Sequence, residues 1–375
     1  MSRSSLRRRT AAVALTVPLL VLAACSSGDA EEPTDGGSAS EDPGSGDGDA
    51  EEPEAPAEPI SLQIASTSPT QPQWVATKYG VEKFGPELGL DMTVADNFNT
   101  FDSHSIATQT VLSGGADVVA GSFVSTMVLV EQGQDFQVFC PYISQDGLVI
   151  AGANGVDSID DLFADGTRVA IDSPGGAAMV AFDAILQAVG EERTSADIVG
   201  QQILESSGLR ATAFAAGEVD ATIIHQRQFN EAATQLDDAV ILAQLFAEVP
   251  EFIKEGQAAP KAWLEENAEQ AATYCAAVLL GMRELKTDYD LFKQAVADYA
   301  ETDAVAEEEL ERVFGWVNEY DFWPEEDGGF SPEAVEFMAQ VAITAGLLQD
   351  VPAYEDVVNA DILARAVEIA NEHSS

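Results

Sequence analysis

The chain has 375 residues, with 65 acidic against 17 basic side chains and a formal net charge of −48. That balance excludes the electrostatic footprint of a nucleic-acid binder. It also disfavours the approach of free anions, so an anion site would have to draw positive potential from backbone dipoles.

Arg3, Arg7, Arg8 and Arg9 precede an apolar run over residues 11–22. The run is short for a membrane span and reads as a secretory signal over residues 1–24, set aside from fold reasoning. Leu22-Ala23-Ala24-Cys25 resembles the lipobox of bacterial lipoproteins, which implies cleavage before Cys25 and its lipidation. Residues 25–59 hold Gly, Ser, Pro, Ala and acids, with no basic or aromatic residue. Such a segment cannot bury a core and its charges repel, so a disordered acidic tether is expected.

Residues 60–375 are long enough for two domains. Residues 61–65 alternate as a strand, 74–84 have helical apolar spacing, and 90–95 read as the next strand. Asp102 or Ser103 can cap a helix over 105–112. A strand over 116–120, a helix ending at Gly133 and a strand over 137–142 follow. The same grammar then repeats: a strand over 148–151, a short helix over 158–163, a strand over 168–171, the turn Asp172-Ser173-Pro174-Gly175-Gly176, and a helix with Met179, Phe182, Leu186 and Val189 on one face. A helix over 208–216 and a strand over 219–224 complete it. Strands alternating with helices predict α/β layers with largely parallel sheets.

Residues 110–122 and 214–225 form a pair. Each holds a helix end, a Gly cap, an Asp (Asp117 or Asp220), a short apolar strand and a polar residue at its carboxyl end. The two aspartates sit at strand starts, away from any ligand, and read as structural. Ligands bind beyond the carboxyl ends of strands in open α/β sheets, so two such sheets face to face would enclose a cleft. Residues 260–282, 289–299, 307–317, 332–345 and 360–371 are helical, and their apolar faces suit the under-covered first lobe. The expected division is 60–145 with 240–375 as lobe one and 146–239 as lobe two. Crossings near 144–147 and 240–245 would form a hinge suited to closure on a ligand.

Together the Cys25 lipobox, the Ser-Pro-Gly-Gly turn with its helix, Ala215-Ala-Gly-Glu-Val-Asp-Ala221 and the tail Gly329-Phe330-Ser331…Gly346-Leu-Leu…Val351-Pro352 resemble extracytoplasmic solute-binding proteins of ABC importers. Within these the chain is similar to the nitrate/sulfonate/taurine branch, which also contains thiamine-precursor-binding members. The resemblance implies a bilobal type II binding fold, no catalysis, no cofactor and a monomer. It also implies delivery of a small molecule to a membrane permease with its ATPase, membrane attachment through the lipid alone, and a place on the outer face of the cell membrane.

In that frame the expected ligand contacts are Ser68, Gln71, Trp74, Asn97, Asn99, Ser122, Phe123, Gln145, Ser173, Gly175, Gly176, Ala177 and His225. The turn at 172–177 would aim backbone N–H groups at an anion from a helix N-terminus. No Lys or Arg lies in the turns 66–73, 96–99, 121–123 or 172–177, so backbone dipoles rather than a salt bridge would hold a sulfonate, carboxylate or related oxoanion. The alternative ligand is an aromatic heterocycle, such as a thiamine-precursor pyrimidine or a flavin. Trp74, Phe98, Phe101, Phe123 and Tyr142, with Asp96 and Asp146, would stack on and hydrogen-bond it. A pyrimidine-synthesis enzyme is the weaker alternative: no GxSxG, HExxH, Walker loop or Cys–His pair stands out, and export does not suit that chemistry. Cys140 and Cys275 either pair, as an exported chain allows, or sit as separate buried thiols; neither spacing suits a metal.

Overall fold

The computed structural model describes residues 60–67, 71–101, 103–302 and 304–374. The signal, Cys25, the tether and Ser68 lie outside them. Two five-stranded sheets, each flanked by helices, make the framework.

The first sheet begins with β1 (Ile64–Thr67), followed by α1 (Ala76–Phe84), the single turn α2 (Val94–Asn97) and β2 (Phe98–Phe101). The alternation at 90–95 suggested a strand there, but local hydrogen bonding wins. The Thr93 hydroxyl accepts from the Asp96 amide and Asn97 Oδ1 accepts from the Thr93 amide at 2.9 Å, closing a helical turn and moving the strand downstream. Then come α3 (His104–Leu112), β3 (Val118–Ser122), α4 (Phe123–Glu131) and β4 (Phe136–Ile143).

The chain crosses over to β5 (Leu148–Gly152), β6 (Val169–Ile171), α5 (Ala177–Ala188), β7 (Gln201–Ile203), α6 (Ser207–Ala215), β8 (Ala221–His225), α7 (Gln226–Ala233) and β9 (Val240–Gln244). It returns through α8 (Leu245–Glu248) to β10 (Glu255–Pro260). The remaining helices are α9 (Lys261–Glu266), α10 (Ala268–Thr287), α11 (Tyr289–Tyr299), α12 (Glu307–Glu319), α13 (Pro332–Thr344), α14 (Tyr354–Val357) and α15 (Ala360–His373). Among the described residues no helix is long and apolar enough to cross a membrane.

The strand orders are β2-β1-β3-β10-β4 and β7-β6-β8-β5-β9. In each sheet the first three strands run parallel, and the fourth runs antiparallel to both its neighbours. The sheets are therefore mixed, and each is a copy of the other's topology. The expected return at residue 240 is corrected: β9 pairs with β5, so residues 240–244 belong to the second sheet. The two resembling segments become α3–β3–α4 and α6–β8–α7. Their aspartates do the same work in both lobes, Asp117 accepting from the Gln63 amide at 2.7 Å and Asp220 from the Arg168 amide at 2.9 Å. Each pins the start of the neighbouring parallel strand.

The long helix α10 is the spine of the first lobe. Tyr274 to Leu279 are fully buried. Gly80 of α1 and Gly281 of α10 meet so closely that a Cβ on Gly281 would stand 2.6 Å from the Gly80 Cα. Cys275 of α10 is disulfide-bonded to Cys140 of β4, with 5.5 Å between Cα atoms.

Candidate functional site

A cleft of about 930 Å³ lies between the two sheets. The first lobe contributes Thr67 at the end of β1, Trp74, the first turns of α3 and the face of α4 that carries Ser125. The second contributes Asp172 to Ala178, Glu205 to Ser207, Arg210 and His225. Lys254 and Glu255 enter from the returning crossing and Leu347 from the C-terminal region. The carboxyl ends of β1, β6 and β8 thus all open into one space, as the topology of open α/β sheets requires.

Of the expected contacts, Trp74, Ser173, Gly175, Gly176, Ala177 and His225 line this cleft. Ser68 lies outside the described residues, and the remaining ones are placed elsewhere. Asn97 is buried and donates to the Leu62 carbonyl at 2.9 Å, and Asn99 donates to Gln63 on an exposed edge. Ser122 caps α4 through the Ser125 amide, and Phe123 is fully buried, stacked on Phe330 with centroids 5.7 Å apart. Gln71 is buried and its carbonyl accepts the Trp74 amide at 3.1 Å. Gln145 ties one crossing to the other, its Nε2 donating to the carbonyls of Val249 at 2.7 Å and Pro250 at 3.1 Å. The aromatic set proposed for a heterocycle disperses in the same way: Trp74 alone of it lines the cleft.

The turn before α5 has the geometry its sequence suggests. Gly175 has φ +81°, and the Gly176 amide donates to the Ser173 carbonyl at 2.9 Å, closing a turn with Pro174 and Gly175 at its centre. What the turn holds differs from expectation. The Asp172 carboxylate accepts from the Ser173 amide at 2.8 Å and the Ala178 amide at 3.4 Å. A Cβ on Gly176 would stand 2.5 Å from it. The chain's own carboxylate therefore sits at the positive end of the α5 dipole, where an anionic ligand was expected.

Basic groups that the turn sequences did not reveal also line the cleft. Arg210 is 2% exposed and donates to the carbonyls of Ile223, Leu204 and Glu205; it lies 3.8 Å from Asp172 Oδ1. Its burial lowers the guanidinium's pKa, and Asp172 opposes that shift. Lys254 is hydrogen-bonded to Asp146 and stands 4.3 Å from the centre of the Trp74 ring.

Asp146, on the first crossing, is fully buried. Its Oδ1 accepts from Gln73 Nε2 and the Gly147 amide, both at 2.7 Å, and lies 3.3 Å from His225 Nδ1. Burial alone would raise its pKa, but His225 and Lys254 outweigh it and hold the carboxyl well below the usual range. Gln73 and Lys254 belong to the first lobe's side and His225 ends a second-lobe strand, so one carboxylate joins both lobes at the hinge. His104, half-buried at the start of α3, has its pKa lowered to about 4 by burial. Among the described residues no cluster could hold a metal ion. The missed residues had no local signal. Lys254 immediately precedes, and Glu255 opens, a strand with too little alternation to notice, and Arg210 reads as an ordinary helix residue.

No protein-family model and no curated protein matches the chain. Solved structures do. The periplasmic sulfonate-binding protein SsuA from Methylobacillus flagellatus is 16% identical, with a TM-score of 0.62 over 84% of this chain and 96% of that one. The periplasmic nitrate-binding protein NrtA from Synechocystis is 13% identical, with a TM-score of 0.61 over 83% and 89%. The ligand-binding component of an ABC-type import system from Staphylococcus aureus is 11% identical, with a TM-score of 0.61 over 81% and 99%. With its two topologically matched mixed sheets, two crossings and one interlobe cleft, the chain carries the bilobal type II fold of the periplasmic binding proteins.

Proposed function

We propose that the chain is the substrate-binding component of an ABC importer, tethered outside the cytoplasm through lipidated Cys25 and residues 25–59. It captures a small polar organic molecule between its lobes and presents the closed form to a membrane permease. The observation that carries this reading is the cleft itself, lined from both sheets by strand ends and walled by a hinge of two crossings. The sulfonate, nitrate and import components that share the fold support the receptor role over catalysis. The heterocycle alternative loses support as its aromatic residues disperse.

Thermal-shift measurements on the protein with taurine, alkanesulfonates, nitrate, and thiamine and flavin precursors test the role. A ligand at a hundred times its Kd should stabilise by about 2.7 kcal/mol. Native mass spectrometry of protein from its own host should show a carried small molecule. The absence of both a shift and a carried ligand would overturn the receptor reading.

A further inference from the structure

The charges in the cleft do not balance around an anion. Three carboxylates line it, Asp172, Glu205 and Glu255, against two cations, Arg210 and Lys254. Both cations are partly engaged. Arg210 uses Nε and Nη1 on three carbonyls beside Asp172, which leaves only Nη2 for a ligand, and Lys254 is bonded to Asp146. The positive end of the α5 dipole is taken by Asp172.

Two carboxylates are left over: Glu205, which is exposed to solvent, and Glu255, which is not. Glu255 opens β10 between Ser122 of β3 and Ile143 of β4, is 9% exposed, and faces the cleft. Among the described residues its side chain accepts no hydrogen bond. Its nearest cation is the same Lys254 ammonium, at 3.9 Å. A buried carboxylate without donors is costly, and a site that leaves one facing its ligand space is built for a ligand that brings the donors.

We infer that the ligand presents a protonated nitrogen, such as an amine, amidine or guanidine, to Glu255, and that this contact selects against simple oxoanions. The inference rests on the receptor reading and sharpens it. Ser125, Ser173, Ser206 and Ser207 supply neutral hydroxyl groups for the remainder of the molecule.

Calorimetry with matched pairs on the full chain tests it. Taurine is compared with isethionate and β-alanine with 3-hydroxypropionate, each pair differing by an amine against a hydroxyl, with nitrate alongside. The amine member should bind at least tenfold tighter, and the ratio should collapse in Glu255→Gln. Equal affinities within a pair, or tighter binding of isethionate or nitrate, overturn the inference and leave the receptor role standing. If no probe binds, the ligand carried by protein from its host decides. One with a basic nitrogen upholds the inference and one without overturns it. No carried ligand and no binding removes the receptor role and the inference together. The pair comparison needs only the natural protein, so an unfolded Glu255→Gln would not blunt the test.

Discussion

Replacing Asp146 by Asn separates charge from shape at the hinge. The amide has the carboxylate's size and keeps one acceptor, so the bonds from Gln73 and the Gly147 amide at 2.7 Å can survive. What disappears is the negative charge beside Lys254, whose side chain is 5% exposed. Breaking a buried pair by removing one partner costs about 3–5 kcal/mol, because the other charge is stranded. Glu255, 3.9 Å from the Lys254 ammonium, offsets part of that, so about 3 kcal/mol is expected. That is a large share of a typical stability of about 5–15 kcal/mol, and it leaves a folded protein for study. Urea unfolding followed by tryptophan fluorescence measures it. Asp146→Asn combined with Lys254→Met removes both charges and should recover most of the loss. A single variant losing less than about 1 kcal/mol, or a double variant no better than the single, would show that Asp146 and Lys254 do not act as a buried ion pair.

The remaining expectations are more local. Gly281→Ala should destabilise by about 1–3 kcal/mol, because its Cβ would press on Gly80 backbone atoms of α1. Gly315→Ala in α12, where nothing lies within 4 Å, should stabilise by about 0.5–1 kcal/mol; thermal melts that rank the two the other way would contradict the packing. Replacing both Cys140 and Cys275 by Ala should cost up to about 5 kcal/mol in urea unfolding, since the bond closes a loop of 135 residues. His104, lowered from 6.5 to about 4, stays neutral in the folded chain while the unfolded chain takes up a proton. Its contribution is therefore complete above pH 6.5 and is lost as pH falls toward 4, about 3 kcal/mol over that window. His104→Asn should flatten the stability slope there by about one proton's worth, and an unchanged slope in acid melts would refute the assignment.

The parts of the fold legible in the sequence are those with short-range causes. The periodicity of α5, the Gly-capped repeat that becomes α3–β3 and α6–β8, and the turn at Gly175 all follow from local chemistry. β10 was invisible because its logic is tertiary. Gly256 is small because a Cβ would meet Val138 at 2.7 Å. Gln257 is fully buried because the Pro141 carbonyl and the Tyr274 hydroxyl satisfy it. A central strand with a satisfied glutamine and an obligatory glycine looks like a loop until its neighbours are known. The same blindness hid Lys254 and Glu255, and with them the charge character of the cleft. It also misplaced Asn97, Phe123 and Gln145, whose side chains are used up by partners far away in the chain.

The position of β10 also bears on how the molecule is assembled. It fills the gap between β3 and β4, yet it is made only after every strand of the second sheet. A chain emerging from its N-terminus can therefore finish the second lobe while the first still has an open slot between two apolar strands. Cys140 likewise waits for Cys275, 135 residues later, before it can be oxidised to the native bond. Synthesis order therefore lets the inserted lobe close before the lobe that begins the chain, which cannot be completed until β10 and Cys275 are made.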